Sequence, residues 1–226
     1  MQLPGLRLPG LGGWEQDPLW ATVYDWSVEH PGPGGWLWRW GIGSDLRRLY
    51  AAASEIGRLP DDAVVLDVPS GGGVALRGLR PGQRVRYVAA DIAPTMLART
   101  LAAARRHGVT AVVEPVAADV AALPFAGATF DLVASFTGLH CFPDPRAAVH
   151  EMGRVLRPGG VLTGSALLQD TGWRYEAVRR GGRMAGLLGP GADSRQVRAW
   201  LDEAGLDEVT LSPSGAVVYF RGVRRG

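Results

Sequence analysis

Two carboxylates and a run of glycines carry most of the chemistry this sequence offers. The stretch Val65-Leu66-Asp67-Val68-Pro69-Ser70-Gly71-Gly72-Gly73 leads an apolar run into an acidic residue and then into a turn with almost no side chains. Such a turn at the carboxyl end of a strand lets backbone amides approach a ligand, and open α/β sheets bind ligands along that edge. The same residues would also serve as a tight strand-to-helix connection that binds nothing. A second acidic residue, Asp91, closes Val88-Ala89-Ala90-Asp91, 24 residues after Asp67. A carboxylate there can accept hydrogen bonds from a ribose diol or cap the helix that follows, and the two roles are compatible.

A further group lies in Phe136-Thr137-Gly138-Leu139-His140-Cys141-Phe142-Pro143-Asp144. His140 is the candidate general base, since imidazole titrates near neutral pH. It reads equally well as a histidine that packs or hydrogen-bonds the loop. His30 is an outside candidate. Cys141, the single cysteine, reads as a packed thiol; alone it excludes a disulfide framework and a multi-cysteine metal site, which makes a reducing cytoplasm the expected compartment. No acidic metal cluster stands out, so the expected chemistry is metal-independent. A nicotinamide dinucleotide would ask for G-x-G-x-x-G, yet the register after Gly71 gives Gly73 and then Leu76. The compact turn suits a ligand without phosphate.

These groups must be positioned by strands alternating with helices. Apolar runs predict strands over 63–68, 84–90, 109–116, 130–135 and 161–168, with two closing strands over 206–212 and 216–221. Helical spacing predicts helices over 44–58 (Ser44 as N-cap), 94–107 with Pro94 in its first turn, 145–156 and 194–204, plus a short one ending at Leu79. Repeated strand–helix units mean right-handed crossovers and a mostly parallel sheet. Pro213-Ser214-Gly215 makes the last two strands a hairpin with an antiparallel edge strand. The expected fold is α/β: a doubly wound, mostly parallel, seven-stranded Rossmann-like sheet with an N-terminal helical and aromatic cap.

With these segments in place, the chain resembles the class I S-adenosylmethionine-dependent methyltransferases, in particular their small-molecule branch that includes quinone-biosynthesis enzymes. The resemblance runs over about residues 44–222. It implies that Asp67, Ser70, Gly71 and Gly73 lie against the methionine end of the cofactor and that Asp91 holds the ribose. Ile92 and Met96 would flank the adenine. Ala118-Asp119-Val120-Ala121-Ala122-Leu123-Pro124-Phe125 matches the segment whose acidic residue approaches the adenine amino group, which assigns Asp119 and Val120 to the site. Phe130-Asp131-Leu132-Val133, ending near Ser135, matches the fourth strand, and Arg154-Val155-Leu156-Arg157-Pro158-Gly159-Gly160 the turn into the fifth. Pro69 departs from the pattern, because the family places glycine there and proline lacks an N–H and fixes φ.

The 226 residues suit one domain, expected over 44–226 and preceded by a flexible leader and aromatic cap over 1–43. Six of the eight tryptophans (Trp14, Trp20, Trp26, Trp36, Trp38 and Trp40) fall in that first segment, where with Tyr24 they would either cap the active site or dock the N-terminal helix onto the sheet. Residues 170–193, rich in glycine and arginine, read as a lid insert or as a solvated helix face. All 24 basic residues are arginine, against 22 acidic ones; a net charge of +2 argues against a broad nucleic-acid surface, and no stretch is apolar enough to span a membrane. The loop after strand four lacks the Asn/Asp-Pro-Pro-aromatic signature of enzymes that methylate nucleic-acid bases. The expected activity is therefore S-adenosyl-L-methionine-dependent methyl transfer to an O, N or C atom of a small, hydrophobic metabolite. The alternative is a subunit of the same fold that binds cofactor or a partner without chemistry. The oligomeric state is not written in the sequence.

Overall fold

The computed structural model describes residues 18–226. Residues 1–17 of the expected leader, Trp14 among them, lie outside the described residues, as do the side chains of Trp20 and Tyr24. Helices α1 (Pro18–Glu29), α2 (Pro31–Gly41) and α3 (Leu46–Ala53) come first. They lead into β1 (Val64–Asp67), β2 (Arg86–Asp91), α4 (Pro94–His107), β3 (Val113–Ala117), β4 (Phe130–Phe136), α5 (Pro145–Val155) and β5 (Leu156–Leu167). An insert containing α6 (Glu176–Met184) follows, then α7 (Ser194–Glu203), β6 (Leu206–Ser214) and β7 (Val217–Arg224).

The seven strands form one sheet in the order β3-β2-β1-β4-β5-β7-β6. The first five pair in parallel, while β7 lies antiparallel between β5 and β6. Each face carries its own core. On one side Met152, Val155, Val197 and Leu201 from α5 and α7 cover Leu66, Val88, Val133 and Leu162. On the other, Leu49, Ile56, Ala103 and Ala104 cover Val65, Ala89 and Leu132. Burial on both faces explains why the central strands read as continuous apolar runs rather than alternating ones.

Several boundaries move for local reasons. Asp45, not Ser44, caps α3 by accepting the Arg47 amide at 3.0 Å, while Ser44 is buried with its hydroxyl on Ser214 at 3.3 Å. The helix stops at Ala53 because the Ser54 hydroxyl bonds back to the Ala51 carbonyl at 2.6 Å, and a 3₁₀ turn, Ile56–Arg58, follows. The expected helix ending at Leu79 is likewise a 3₁₀ turn, Val74–Gly78. Strand β3 starts at Val113 rather than 109, since Gly108 ends α4 in the left-handed region and the chain first makes the turn Thr110–Val112. Arg157–Gly160 forms a bulge rather than a separate turn, with Leu156 opposite Phe130 and Val161 opposite Leu132.

The Pro/Gly stretch 31–35 does not interrupt helical structure; it begins α2. Pro31 occupies the first turn, where amides have no helical acceptor to lose. Gly34 lets α1 and α2 touch: a Cβ there would lie 1.7 Å from the Ser27 carbonyl oxygen. From the opposite end of that contact Trp38 enters the core with Val28, Leu46 and Ile56, and its indole N–H donates to the Ser27 hydroxyl at 3.0 Å. Trp38 is 5% exposed, so it docks the N-terminal helices onto the domain. Trp38→Ala should therefore cost about 3–5 kcal/mol in denaturant unfolding. A loss below about 1 kcal/mol would mean that α1 and α2 pack independently of the core.

Candidate active site

The strand order reverses between β1 and β4, where open α/β sheets leave a crevice at the carboxyl ends of their strands. Asp67 ends β1 at this point and is 1% exposed. Its carboxylate accepts the Tyr87 hydroxyl from β2 at 2.8 Å. Burial pushes its pKa up to about 7, the Tyr87 hydrogen bond opposes the rise, and the nearby Asp91 charge adds to it. Tyr87 is itself fully buried, and burial beside Asp67 raises its phenol well above the ordinary range.

Asp91 ends β2 and is 5% exposed. One oxygen accepts the Gly71 amide and the other the Ala93 amide, each at 3.0 Å. The carboxylate thus ties the glycine turn to the start of α4, as expected of a residue capping the helix that follows. Gly71 is in the left-handed region, φ 49°, and a Cβ built on it would meet nothing within 4 Å. The turn is therefore open beside Gly71. Gly73, φ 83°, is closed by contrast: its Cβ would press on Ala103 and Leu76 at 3.0 Å. Gly73 seats the turn against α4 and does not face the opening. Ser70 is buried, with its hydroxyl paired to Thr100 at 3.0 Å; Thr100 also donates to the Gly71 carbonyl at 2.7 Å.

The other sequence-derived positions distribute around this turn. Ile92 is 62% exposed directly after Asp91, and Met96 is buried with Ala93 in a small apolar cluster of its own. Asp119 caps the turn after β3 by accepting the Ala121 amide at 2.9 Å, whereas the Val120 side chain belongs to the core beneath it. Ser135, one residue from the end of β4, is fully buried, and its hydroxyl finds no hydrogen-bond partner among the described residues. Pro69 packs against the loop after β4: a Cβ on Gly138 would lie 2.2 Å from its ring.

His140 is 6% exposed, and its Nδ1 accepts the Leu167 amide at 3.1 Å. That bond fixes the neutral tautomer with the proton on Nε2. Burial lowers its pKa to about 4. The His140 carbonyl in turn accepts the Gly189 amide at 2.8 Å, so the loop is pinned to the end of β5 and to the insert. These contacts position the loop and leave the ring weakly basic. The sequence reading missed Tyr87 and Thr100. Tyr87 was visible only as a tyrosine in an otherwise aliphatic strand end, and the alternation that aims it at Asp67 needs the parallel register to be known.

A family model described as a methyltransferase domain matches residues 66–163, from within β1 to the middle of β5. The demethylmenaquinone methyltransferase of Mycolicibacterium paratuberculosis is 34% identical over 196 residues, covering 82% of this chain and 81% of that protein. The chain belongs to the class I S-adenosylmethionine-dependent methyltransferases. S-adenosylmethionine is the cofactor of this enzyme. The fold is shared more widely: the YcgJ protein of Bacillus subtilis aligns with TM-score 0.65 at 18% identity, over 80% of this chain and 99% of that one. A phosphoethanolamine N-methyltransferase of Haemonchus contortus, solved with phosphomonomethylethanolamine and S-adenosylhomocysteine, aligns with TM-score 0.72 at 15% identity over 91% and 57%. At these identities the likeness is one of fold.

Two of the buried ionisable groups, Asp67 and His140, respond to pH in opposite directions. Asp67 has a folded pKa above its unfolded value, so its contribution is full below about pH 4 and is lost as pH rises through about 7. His140 has a depressed folded pKa, so its contribution is present above pH 6.5 and is lost as pH falls through about 4. Asp67→Asn, which keeps an acceptor for Tyr87, should therefore gain on the wild type by up to about 4 kcal/mol between pH 4 and pH 8 in the absence of ligand. His140→Gln, which keeps an acceptor for Leu167, should flatten the acid limb between pH 6.5 and 4. Chemical denaturation across pH measures both, and parallel wild-type and variant curves would contradict the burial argument.

Proposed function

We propose that this methyltransferase methylates an O, N or C atom of a small hydrophobic acceptor, and that the acceptor class to try first is an apolar quinol ring. The observation that carries the site assignment is the pair of buried carboxylates, Asp67 and Asp91, at the ends of β1 and β2, with the Gly71 amide of the open turn donating to Asp91. These residues fit the cofactor. An open backbone position at Gly71, a buried hydroxyl on Ser135 without a partner among the described residues, and two carboxylates at the ends of β1 and β2 support this reading. When bound, S-adenosylmethionine supplies an electrophilic methyl group on a sulfonium. We assign Asp67 to the ammonium of its methionine end, with Ser70 and Gly71 shaping the turn, and Asp91 to the ribose diol. Ile92 and Met96 flank the adenine, and Asp119 with the Val120 backbone lies at its edge.

Methyl transfer to carbon or oxygen is an in-line displacement, so alignment of donor and acceptor accounts for much of the rate. The loop 137–144, held by His140 and braced on Pro69, sits beside the switch point and forms one wall for the acceptor. Its buried Leu139 and Phe142 support an apolar neighbourhood. We assign His140 a positioning role in place of the general base. The name of the Mycolicibacterium relative, a demethylmenaquinone methyltransferase, supports a ring acceptor for this chain. Further curated relatives are matched over less than half of their own length, and they bear on the shared core alone.

The test is formation of S-adenosylhomocysteine from S-adenosylmethionine with a panel of quinols, phenols, amines and carboxylic acids. Turnover with a quinol and none with the amines supports the reading; cofactor binding without turnover on any acceptor supports the non-catalytic subunit instead. Asp91→Asn should lower S-adenosylhomocysteine affinity about ten- to a hundredfold by calorimetry, because a charge-assisted acceptor is worth roughly 1.5–3 kcal/mol. Unchanged affinity would remove Asp91 from the ribose.

A further inference from the structure

Helix α2 is apolar on two opposed faces. Gly34 and Trp38 point into the domain, whereas Trp36, Leu37 and Trp40 are 65%, 40% and 75% exposed. Trp36 and Trp40 lie one helical turn apart with ring centroids at 6.1 Å. The insert repeats the arrangement with its polarity inverted. Arg179 of α6 is buried, donating to the carbonyls of Leu168 and Gly172 and to Glu176, while Ala177, Gly181 and Met184 follow helical spacing on the exposed side. Trp173, just before α6, is 86% exposed and Met184 80%. The two apolar groups are neighbours, because Tyr175 packs on Gly43 directly after α2: a Cβ on Gly43 would lie 2.1 Å from the Tyr175 hydroxyl. Nothing in the core packing or in the cofactor turn requires tryptophans to face outward here.

Charge selects the occupant. Arg39 lies between Trp36 and Trp40 in sequence, Arg174 follows Trp173, and both are exposed and make no ion pair among the described residues. Arg180 is 74% exposed, and the one local carboxylate on α6, Glu176, is already shared among Arg179, Arg180 and Arg183. Tryptophans beside arginines are the composition of a surface that sits at the headgroup level of a bilayer, indole in the interface and guanidinium on phosphate. A symmetric dimer through the same patch would set these arginines against their own copies. No helix among the described residues is long and apolar enough to cross a membrane, so the contact would be peripheral.

We propose that α2 and the insert form an interfacial docking surface for an anionic lipid bilayer. The proposal does not depend on which acceptor the enzyme uses. The test is co-sedimentation of the full chain with vesicles of phosphatidylcholine alone and with about a third phosphatidylglycerol, read together with tryptophan emission. Binding should favour the anionic vesicles, weaken with salt and shift the emission to the blue. The double variants Trp36→Ser with Trp40→Ser, and Trp173→Ser with Met184→Ser, should each lower vesicle affinity about tenfold or more. Melting temperature and S-adenosylhomocysteine affinity should stay at wild-type values, since these side chains are exposed. Absence of binding to anionic vesicles, or binding that neither variant weakens, would overturn the proposal. So would a micromolar dimer that Trp40→Ser dissociates, which would give the surface to a second copy of the chain.

Discussion

Burying a carboxylate is expensive unless its charge is met by hydrogen bonds or an opposite charge. Asp67 is buried at the end of β1, with one hydroxyl donor from Tyr87 and a second carboxylate, Asp91, close by. Without a cation the economical state of Asp67 is the protonated one, and its pKa rises to about 7. Asp91 is treated differently: two backbone amides, from Gly71 and Ala93, satisfy its oxygens. One carboxylate is thus held in place by the turn, and the other waits for a positive group. On the reading proposed above, that asymmetry would give the site its polarity, with the cofactor's cationic end at Asp67 and its ribose at Asp91.

The surrounding structure keeps this turn in place. Gly73 allows α4 to approach, Thr100 ties Ser70 to the Gly71 carbonyl, and the Pro69 ring is wedged against Gly138. Through Gly138 the turn reaches the loop that carries His140, and through His140 that loop is bound to β5 and the insert. On the outer side, α1 lies next to the turn: Val28 and Glu29 line a narrow cleft with Gly72, Gly73, Arg77 and His107. The N-terminal helices are therefore part of the site's support, anchored by Trp38, and their outward tryptophans are left for another surface.

The sequence made the sheet legible because its parallel strands are buried on both faces and read as continuous apolar runs bounded by Gly and Pro. The strand ends at Asp67 and Asp91 and the glycine turn after β1 were legible for the same reason, since each closes an apolar run. Roles that depend on register were not. Whether Gly73 faces a ligand or a helix, and whether Val120 points to the site or to the core, is decided by α4 and by the packing under β3. His140 looked like a base because its residue type titrates near neutral pH, but type says nothing of burial or of the Leu167 amide on its Nδ1. Pro31 and the glycines after it belong to residue types that usually end helices, yet at a first turn they begin one.

The most direct test of Asp67 as the cationic end is the proton balance of ligand binding. Titration calorimetry of S-adenosylhomocysteine in buffers of different ionisation enthalpy counts the protons exchanged. A cationic group placed beside Asp67 lowers its pKa from about 7, so binding should release a proton: nearly a full one at about pH 6, roughly half at about pH 7, and almost none from this group at about pH 8.5. The release should disappear in Asp67→Asn. Binding with no proton release near neutral pH, or release that survives in Asp67→Asn, would contradict the account.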